Sequence, residues 1–386
     1  MSAPTIRHPG EYRWETRLLG VVTLMLVVFG IANTYAAGAY RDDWYAEARQ
    51  QFSGALVGGV LFLVAAYLDY QLWRRFARPL FYATVAGLTL IAIAALLWPD
   101  GNAPSAVGAV FPYLNGSRRW IRVGPLQVQV SEIARFTLPV FVAALSADLG
   151  GRLRDFQGGF LRVLAPVGVV ALLVVAQPNL SMAILLSVTG VAVAFVAGIR
   201  ISHLFLVGLV GAGGVAAMLL LTAERSDRLA AFMTPSLQCT QQEQVCESMV
   251  GLGHGGVLGV GFGEGTQKLG HLAYGYSDFI LSVIGEEWGF VGVTFLTLCF
   301  VLFCWMGFRI ARTARDPFGA ALAGGLTAMV AIAAFLHAAV VMDMMPATGL
   351  TLPFISVGRV SLVIYLVAAG VVVSIGRRRG RPARER

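Results

Sequence analysis

The chain has 386 residues, 57% hydrophobic and 13% charged, a balance that excludes one or two soluble domains and leaves a polytopic membrane protein. Its net charge of +8 raises nucleic acid as a partner. A basic cluster at Arg377, Arg378 and Arg379 directly after an apolar run instead reads as a tail touching anionic membrane lipid, so no nucleic-acid partner is expected.

Apolar runs of spanning length lie at 16–38, 52–70, 77–98, 131–149, 160–177, 179–199, 203–222, 278–308, 319–342 and 352–376. They predict an all-α polytopic fold of about ten transmembrane helices. The whole chain, 1–386, is read as one membrane domain, with a large outer loop at 223–277 between helices seven and eight and a basic tail at 377–386. Short loops carrying Arg7, Arg13, Arg17, Arg74, Arg75, Arg78, Arg152, Arg154, Arg162, Arg200, Arg309, Arg312 and Arg315, together with the tail, hold most of the 29 basic residues. Lys and Arg resist translocation, so both termini are expected in the cytoplasm. Arg7 and Arg13 before an apolar run resemble a cleavable signal. Removing that run leaves an odd helix count, and it is read as an uncleaved first span.

In chain order, Arg49-Gln50 marks the outer edge of the second span. A cation there either snorkels to water or neutralises a phosphate. The second outer loop places Arg118, Arg119 and Arg122 around Trp120, on the side where positive charge is otherwise scarce. Two guanidiniums beside an indole suit a pyrophosphate with a sugar or lipid on the ring; an interfacial anchor is the competing reading. Glu132 and Arg135 are three apart and share a helix face, which suits an ion pair, with a capping role for Ser131 or Glu132. Pro178 and Asn179 stop one helix and start the next. In the large loop, Gly251, Gly253 and Gly256 form a Gly-x-Gly-x-x-Gly pattern. No strand precedes it, so a dinucleotide site is discounted and the glycines are read as allowing close backbone approach. Cys239 and Cys246 in this loop are expected as a disulfide in an oxidising compartment, and Cys299 and Cys304 as inert packing. Asp278 stands where the loop enters an apolar segment, a functional-site candidate by default, against the plainer reading of a helix cap.

The motifs Gln267-Lys268-Leu269, Ser277-Asp278-Phe279-Ile280 and Gly-Glu-Glu-Trp-Gly-Phe at 285–290 resemble the SEDS family (FtsW, RodA, SpoVE), which polymerises the lipid-linked peptidoglycan precursor. Gln129-Val-Ser-Glu-Ile-Ala-Arg135, Gln177-Pro-Asn-Leu-Ser-Met-Ala183 and Asp343 through Ser361 resemble further family segments. Tyr276, Val130, Arg135, Asn179, Glu247, His337, Asp343, Val357, Arg359 and Val360 depart from the family pattern. Asp343 and Arg359 read either as a private ion pair or as the sign of an altered partner surface or substrate. The resemblance implies that Asp278 is catalytic and that Glu132 and Arg135 line the cavity near it, and the Arg49-Gln50 pair, Gln244 and Ser248 match family positions. It also implies a bacterial inner-membrane location and a partner, a single-spanning class B penicillin-binding transpeptidase, alongside other division or elongation proteins.

For lipid II as substrate, the chemistry needs a base, here Asp278, with its pKa raised by partial desolvation. It also needs a positive field from Arg49, Arg118, Arg119, Arg135 or Lys268, with a divalent cation (Mg or Mn) as an optional helper. A single displacement predicts inversion at the anomeric carbon. The five His are scattered, no residue is assigned as a metal ligand, and no Walker A motif calls for a nucleotide. A lipid II flippase and a weakly active scaffold for a transpeptidase complex are the alternative readings.

Overall fold

The computed structural model describes residues 13–38, 45–99, 102–114, 116–124, 126–221, 244–269, 272 and 274–379. Its helices are α1 (Arg13–Gly38), α2 (Ala46–Tyr67), α3 (Gln71–Leu97), α4 (Ser105–Val110), α5 (Val130–Leu149), α6 (Leu161–Val175), α7 (Leu180–Val196), α8 (Ile201–Leu221), α9 (Gln244–Gly255), α10 (Ile280–Arg312), α11 (Pro317–Val341) and α12 (Arg359–Arg377). Among the described residues, eight helices are long and apolar enough to cross a membrane, and two shorter apolar helices stand at 180–196 and 201–214. That agrees with the expected architecture. The core is built from α5, α11 and α12, which are mostly buried, whereas α2 and α6 leave much of their apolar surface outward.

Small residues let these helices approach closely, as lipid-embedded packing requires. A Cβ on Gly370 of α12 would sit 2.5 Å from the Phe62 carbonyl of α2. The stop and start at 178–180 form as read: Asn179 caps α7 by accepting from the Met182 amide at 3.4 Å. Asp316 does the same for α11 through the Gly319 amide at 3.2 Å, with Pro317 opening the helix.

The start of α1 and the end of α12 meet on one face. Glu15 of α1 binds Arg309 at the end of α10 and Arg379 after α12, and Tyr70 between α2 and α3 donates to Asp316 between α10 and α11. This is the face that carries the arginine-rich short loops. Residue 278, before α10, therefore lies at the opposite face.

Three features differ from the sequence reading. The second outer loop departs from the all-α expectation: it folds into two antiparallel hairpins, β1 (Tyr113–Leu114) with β2 (Ser117–Arg118), and β3 (Trp120–Val123) with β4 (Leu126–Gln129). The apolar run from 352 is not helical until Arg359; 352–358 is a buried non-helical strap, held from helix by Pro353 and Gly358. The large loop contains a helix, α9, and threads into a break in α10.

That break lies at Gly289 (φ +62°). A broken helix frees backbone groups that lipid cannot satisfy, and here the loop satisfies them. The Glu286 and Glu287 carbonyls accept from the Val260 (3.0 Å) and Gly261 (3.1 Å) amides. In return, the Phe290 and Val291 amides donate to Gly256 (2.9 Å) and Val257 (3.1 Å). Only glycine permits this closeness: a Cβ on Gly255 would sit 1.9 Å from the Gly285 carbonyl oxygen, and one on Gly289 would sit 2.3 Å from the Gly259 nitrogen. Of the glycine pattern discounted as a nucleotide motif, Gly256 thus serves a backbone weave, together with Gly255, Gly259 and Gly261.

Gly289→Ala should therefore destabilise by at least about 1–3 kcal/mol from backbone strain alone, with the steric clash added. Gly253→Ala, where a Cβ meets nothing within 4 Å, should stay near wild type. Thermal unfolding in detergent with proteolysis of the outer loop separates the two.

Candidate functional site

The site begins with two adjacent acids on α10. Glu286 is fully buried. Its Oε1 accepts from the Thr266 amide (2.8 Å) and hydroxyl (2.9 Å) and lies 3.0 Å from His254 Nδ1, while Oε2 accepts from the Gln267 amide (3.2 Å). Glu287 takes the Lys268 ammonium at 2.6 Å on Oε1 and the Gly263 amide at 3.0 Å on Oε2. Lys268 also donates to the Gly263 carbonyl at 2.7 Å. The side chains of Lys268 and Glu287 are 1% and 0% exposed. A buried pair persists only when further hydrogen bonds support it, and here Gly263 supplies one to each partner, its amide to Glu287 and its carbonyl to Lys268. The sequence-nominated Lys268 is therefore a clamp that holds 263–268 against α10.

Downstream of the clamp, residues 274–279 form a turn carrying Asp278, whose amide donates to the Tyr274 carbonyl at 3.1 Å. The residue preceding α10 is Phe279, and no side chain caps this helix; Asp278 does not serve as the cap. The strap grips the same turn from the other side. Ser356 Oγ donates to the Ser277 carbonyl at 2.6 Å and accepts from the Leu352 amide at 2.8 Å, and the Val357 amide donates to the Tyr276 carbonyl at 3.2 Å. Gly349 (φ +62°) lies so near that a Cβ there would be 3.4 Å from Asp278 Oδ2. The Asp278 carboxyl is partly buried, and desolvation raises its pKa above the ordinary aspartate value, opposed by a hydrogen bond from Ser277.

The strap also joins the α5 motif to the site. Arg135, buried at 2% exposure, donates to Ser361 Oγ (2.9 Å) and Tyr365 Oη (3.1 Å), with Met182 Sδ at 3.2 Å. Ser361 in turn is 3.2 Å from Thr351 Oγ1, and His337 Nδ1 donates to the Leu350 carbonyl at 2.8 Å. Arg135 does not pair with Glu132, which is half-buried in the first turn of α5; α5 has no side-chain cap. Asp343 and Arg359 form no ion pair with each other.

The other nominated residues have distinct positions. Arg118 is buried at 2% exposure, donates to the Trp98 (3.2 Å) and Phe111 carbonyls and lies over Tyr113. Arg119 donates to the Gln177 (3.1 Å) and Pro178 (2.6 Å) carbonyls just past α6, where a cation complements the helix dipole. Trp120 pairs across β3–β4 with Gln129. Ser248 donates to the Val341 carbonyl at 3.0 Å, its own carbonyl accepting from Ser282 at 2.8 Å, and Gln244 begins α9 half-buried. Arg49 is exposed, 5.8 Å from the Tyr45 ring, on the rim of an open apolar cleft of about 570 Å3 lined by Ile31, Tyr35, Phe52 and Phe262 among others. It has no ion pair among the described residues.

Glu286, Glu287, Gly349, Ser356 and Ser361 are the participants that sequence reasoning did not nominate, although all five lie inside motifs quoted above. Cys246 is disulfide-bonded, Cys239 lies outside the described residues, and Cys299 and Cys304 are free. Among the described residues no group of three or more His, Cys, Asp or Glu could hold a metal.

Breaking one side of the clamp strands a buried charge. Glu287→Gln or Lys268→Met alone should cost about 3–5 kcal/mol, while the apolar double replacement Lys268→Met with Glu287→Leu should cost less than either single change. A double-mutant cycle on thermal unfolding measures the coupling.

The sequence profile of a family described as "Cell cycle protein", FtsW/RodA/SpoVE, matches residues 14–380. The stage V sporulation protein E of Bacillus subtilis (strain 168) is 32% identical over 366 residues, covering 93% of this chain and 96% of that protein. A probable peptidoglycan glycosyltransferase FtsW of Trichlorobacter lovleyi is 36% identical over 377 residues, covering 96% and 95%. Among solved structures, a chain from a peptidoglycan synthase complex, studied for the coordination of polymerization and crosslinking, aligns with TM-score 0.74 and 25% identity over 94% of this chain and 98% of that one. The rod shape determining protein RodA of Thermus thermophilus aligns with TM-score 0.67 and 25% identity, covering 94% and 97%.

Proposed function

This chain belongs to the FtsW/RodA/SpoVE family, and from that premise we propose that it is a peptidoglycan glycosyltransferase of the bacterial inner membrane, polymerising lipid II into glycan strands at the outer face. The observation that carries the reading is the placement of Asp278: a partly desolvated carboxyl, held by a clamp on one side and a strap on the other, at the face opposite the arginine-rich loops. Charge bias puts those loops and both termini in the cytoplasm, which leaves Asp278 at the outer leaflet.

In the proposed reaction, Asp278 takes the proton from a sugar hydroxyl of one substrate. That oxygen bonds to the anomeric carbon of the other, the bond from this carbon to the diphosphate breaks, and configuration inverts. A raised pKa brings the carboxylate closer to the operating pH and makes it a better base. Among the cations nominated from sequence, Arg49 is the one best placed to meet the anionic carrier, because it edges an apolar cleft suited to a lipid chain. Arg118, Arg119 and Lys268 are committed to backbone carbonyls or to Glu287 and are assigned to shaping the site. A magnesium or manganese ion fits only as a companion of the substrate's phosphates, since such ions are commonly held by one or two carboxylates plus phosphate oxygens, and Asp278 and Glu132 are two of the partly exposed carboxylates that could take that part. The similarity to a chain from a synthase complex supports a class B penicillin-binding transpeptidase as partner.

Asp278→Asn should abolish glycan chains from labelled lipid II, with the partner transpeptidase present, while leaving thermal unfolding near wild type. Movement of lipid between leaflets without chain growth in the wild-type protein would favour a transporter, and partner binding with neither activity a scaffold. On the pH axis the active form is the carboxylate. Because its pKa is raised, kcat/KM should fall as pH drops through a value above the ordinary 3.8 of aspartate; an acid limb at or below that value removes Asp278 as the base.

A further inference from the structure

On the face where the start of α1 meets the end of α12, a pocket of about 220 Å3 opens between the start of α3 and the end of α5. Its polar wall is Arg74, Arg75, Arg78 and Asp148; Phe141 and Leu145 form the apolar wall. Asp148 Oδ1 is 2.8 Å from Arg74 Nη2, and Oδ2 is 3.3 Å from Arg78 Nη2. Arg75 is exposed and has no ion pair among the described residues. Three guanidiniums thus face one carboxylate.

Two further observations say what could neutralise the surplus. The Arg74, Arg78 and Asp148 side chains are 42%, 71% and 39% exposed, so their pairing is weak and open to exchange with another anion. Leu72 and Phe76, 39% and 47% exposed on the same stretch of α3, give the surroundings an apolar surface. The volume falls below the roughly 300–1,000 Å3 of pockets for drug-sized ligands, which disfavours a nucleotide and suits a single phosphate. Guanidinium forks match phosphate geometry, and the cytoplasmic leaflet is the one rich in anionic lipid.

We propose that this pocket binds the phosphodiester headgroup of an anionic phospholipid in the inner leaflet, with an acyl chain along Leu72 and Phe76. Asp148 acts as the internal competitor, occupying Arg74 and Arg78 when no lipid is bound. The site is remote from Asp278 and independent of the proposed reaction; its leaflet follows from the charge-based orientation.

The test mixes the purified full-length protein in detergent with equimolar phosphatidylglycerol, cardiolipin and phosphatidylcholine, and counts retained lipids by native mass spectrometry. The wild type should retain an anionic lipid over phosphatidylcholine, and Arg75→Gln with Arg78→Gln should reduce that retention by about tenfold, the scale of one charge-assisted contact. Asp148→Asn should increase it, an outcome that a purely structural salt bridge does not predict. Equal retention of phosphatidylcholine, no loss in the double arginine variant, or reduced retention in Asp148→Asn would each overturn the proposal. Displacement of the lipid by millimolar inorganic phosphate would identify soluble phosphate as the ligand and overturn the lipid assignment. Should the double arginine variant fail to fold, Asp148→Asn still decides.

Discussion

The structure depends on how one broken helix is mended. At Gly289 the chain leaves helical geometry inside a segment that must span lipid, and the backbone groups set free there are satisfied by the outer loop rather than by water. Reciprocal hydrogen bonds between 256–261 and 286–291 make the loop part of the helix wall. This requirement explains why glycine recurs in a stretch that otherwise resembles a phosphate-binding motif. It also explains why two acids sit side by side at the break: Glu286 gathers the amides of 266–267, and Glu287 fixes Lys268.

From that join, the rest of the site follows outward. The loop is secured just before the turn that presents Asp278, and α10 secures it just after. The strap at 352–358, seated by Ser356 and Val357, closes the remaining side. Through Ser361 and Thr351 the strap then reaches Arg135. The α5 motif and the Asp278 turn are thus connected through a third segment rather than by a direct salt bridge. A carboxylate held in this way combines limited solvent access with a fixed position, two conditions that a general base needs.

Much of this was legible in the sequence, for reasons that can be stated. Spanning runs announce themselves because lipid tolerates little else, and Asp278 stood out because a carboxylate at the end of such a run is costly. Partnerships were not legible. Arg118, Arg119 and Lys268 all read as free positive charge, yet each is tied to carbonyl oxygens or a carboxylate that lies far away in sequence. The strap was read as helix because Leu352, Phe354 and Ile355 are apolar; they are buried by packing, and Pro353 and Gly358 were the available warning. The hairpins at 113–129 had a short alternating pattern in Trp120–Val123 and Leu126–Gln129 that the charged residues obscured.

The strap has a consequence for biogenesis. Ser356 and Val357 emerge from the ribosome after the Asp278 turn and after both halves of α10, so the turn cannot reach its finished shape until the strap has been delivered to the membrane. A nascent chain stalled before that point holds the Asp278 carboxyl on a turn supported from one side only. The turn is thereby completed only when the segment that follows α11 has been laid against it.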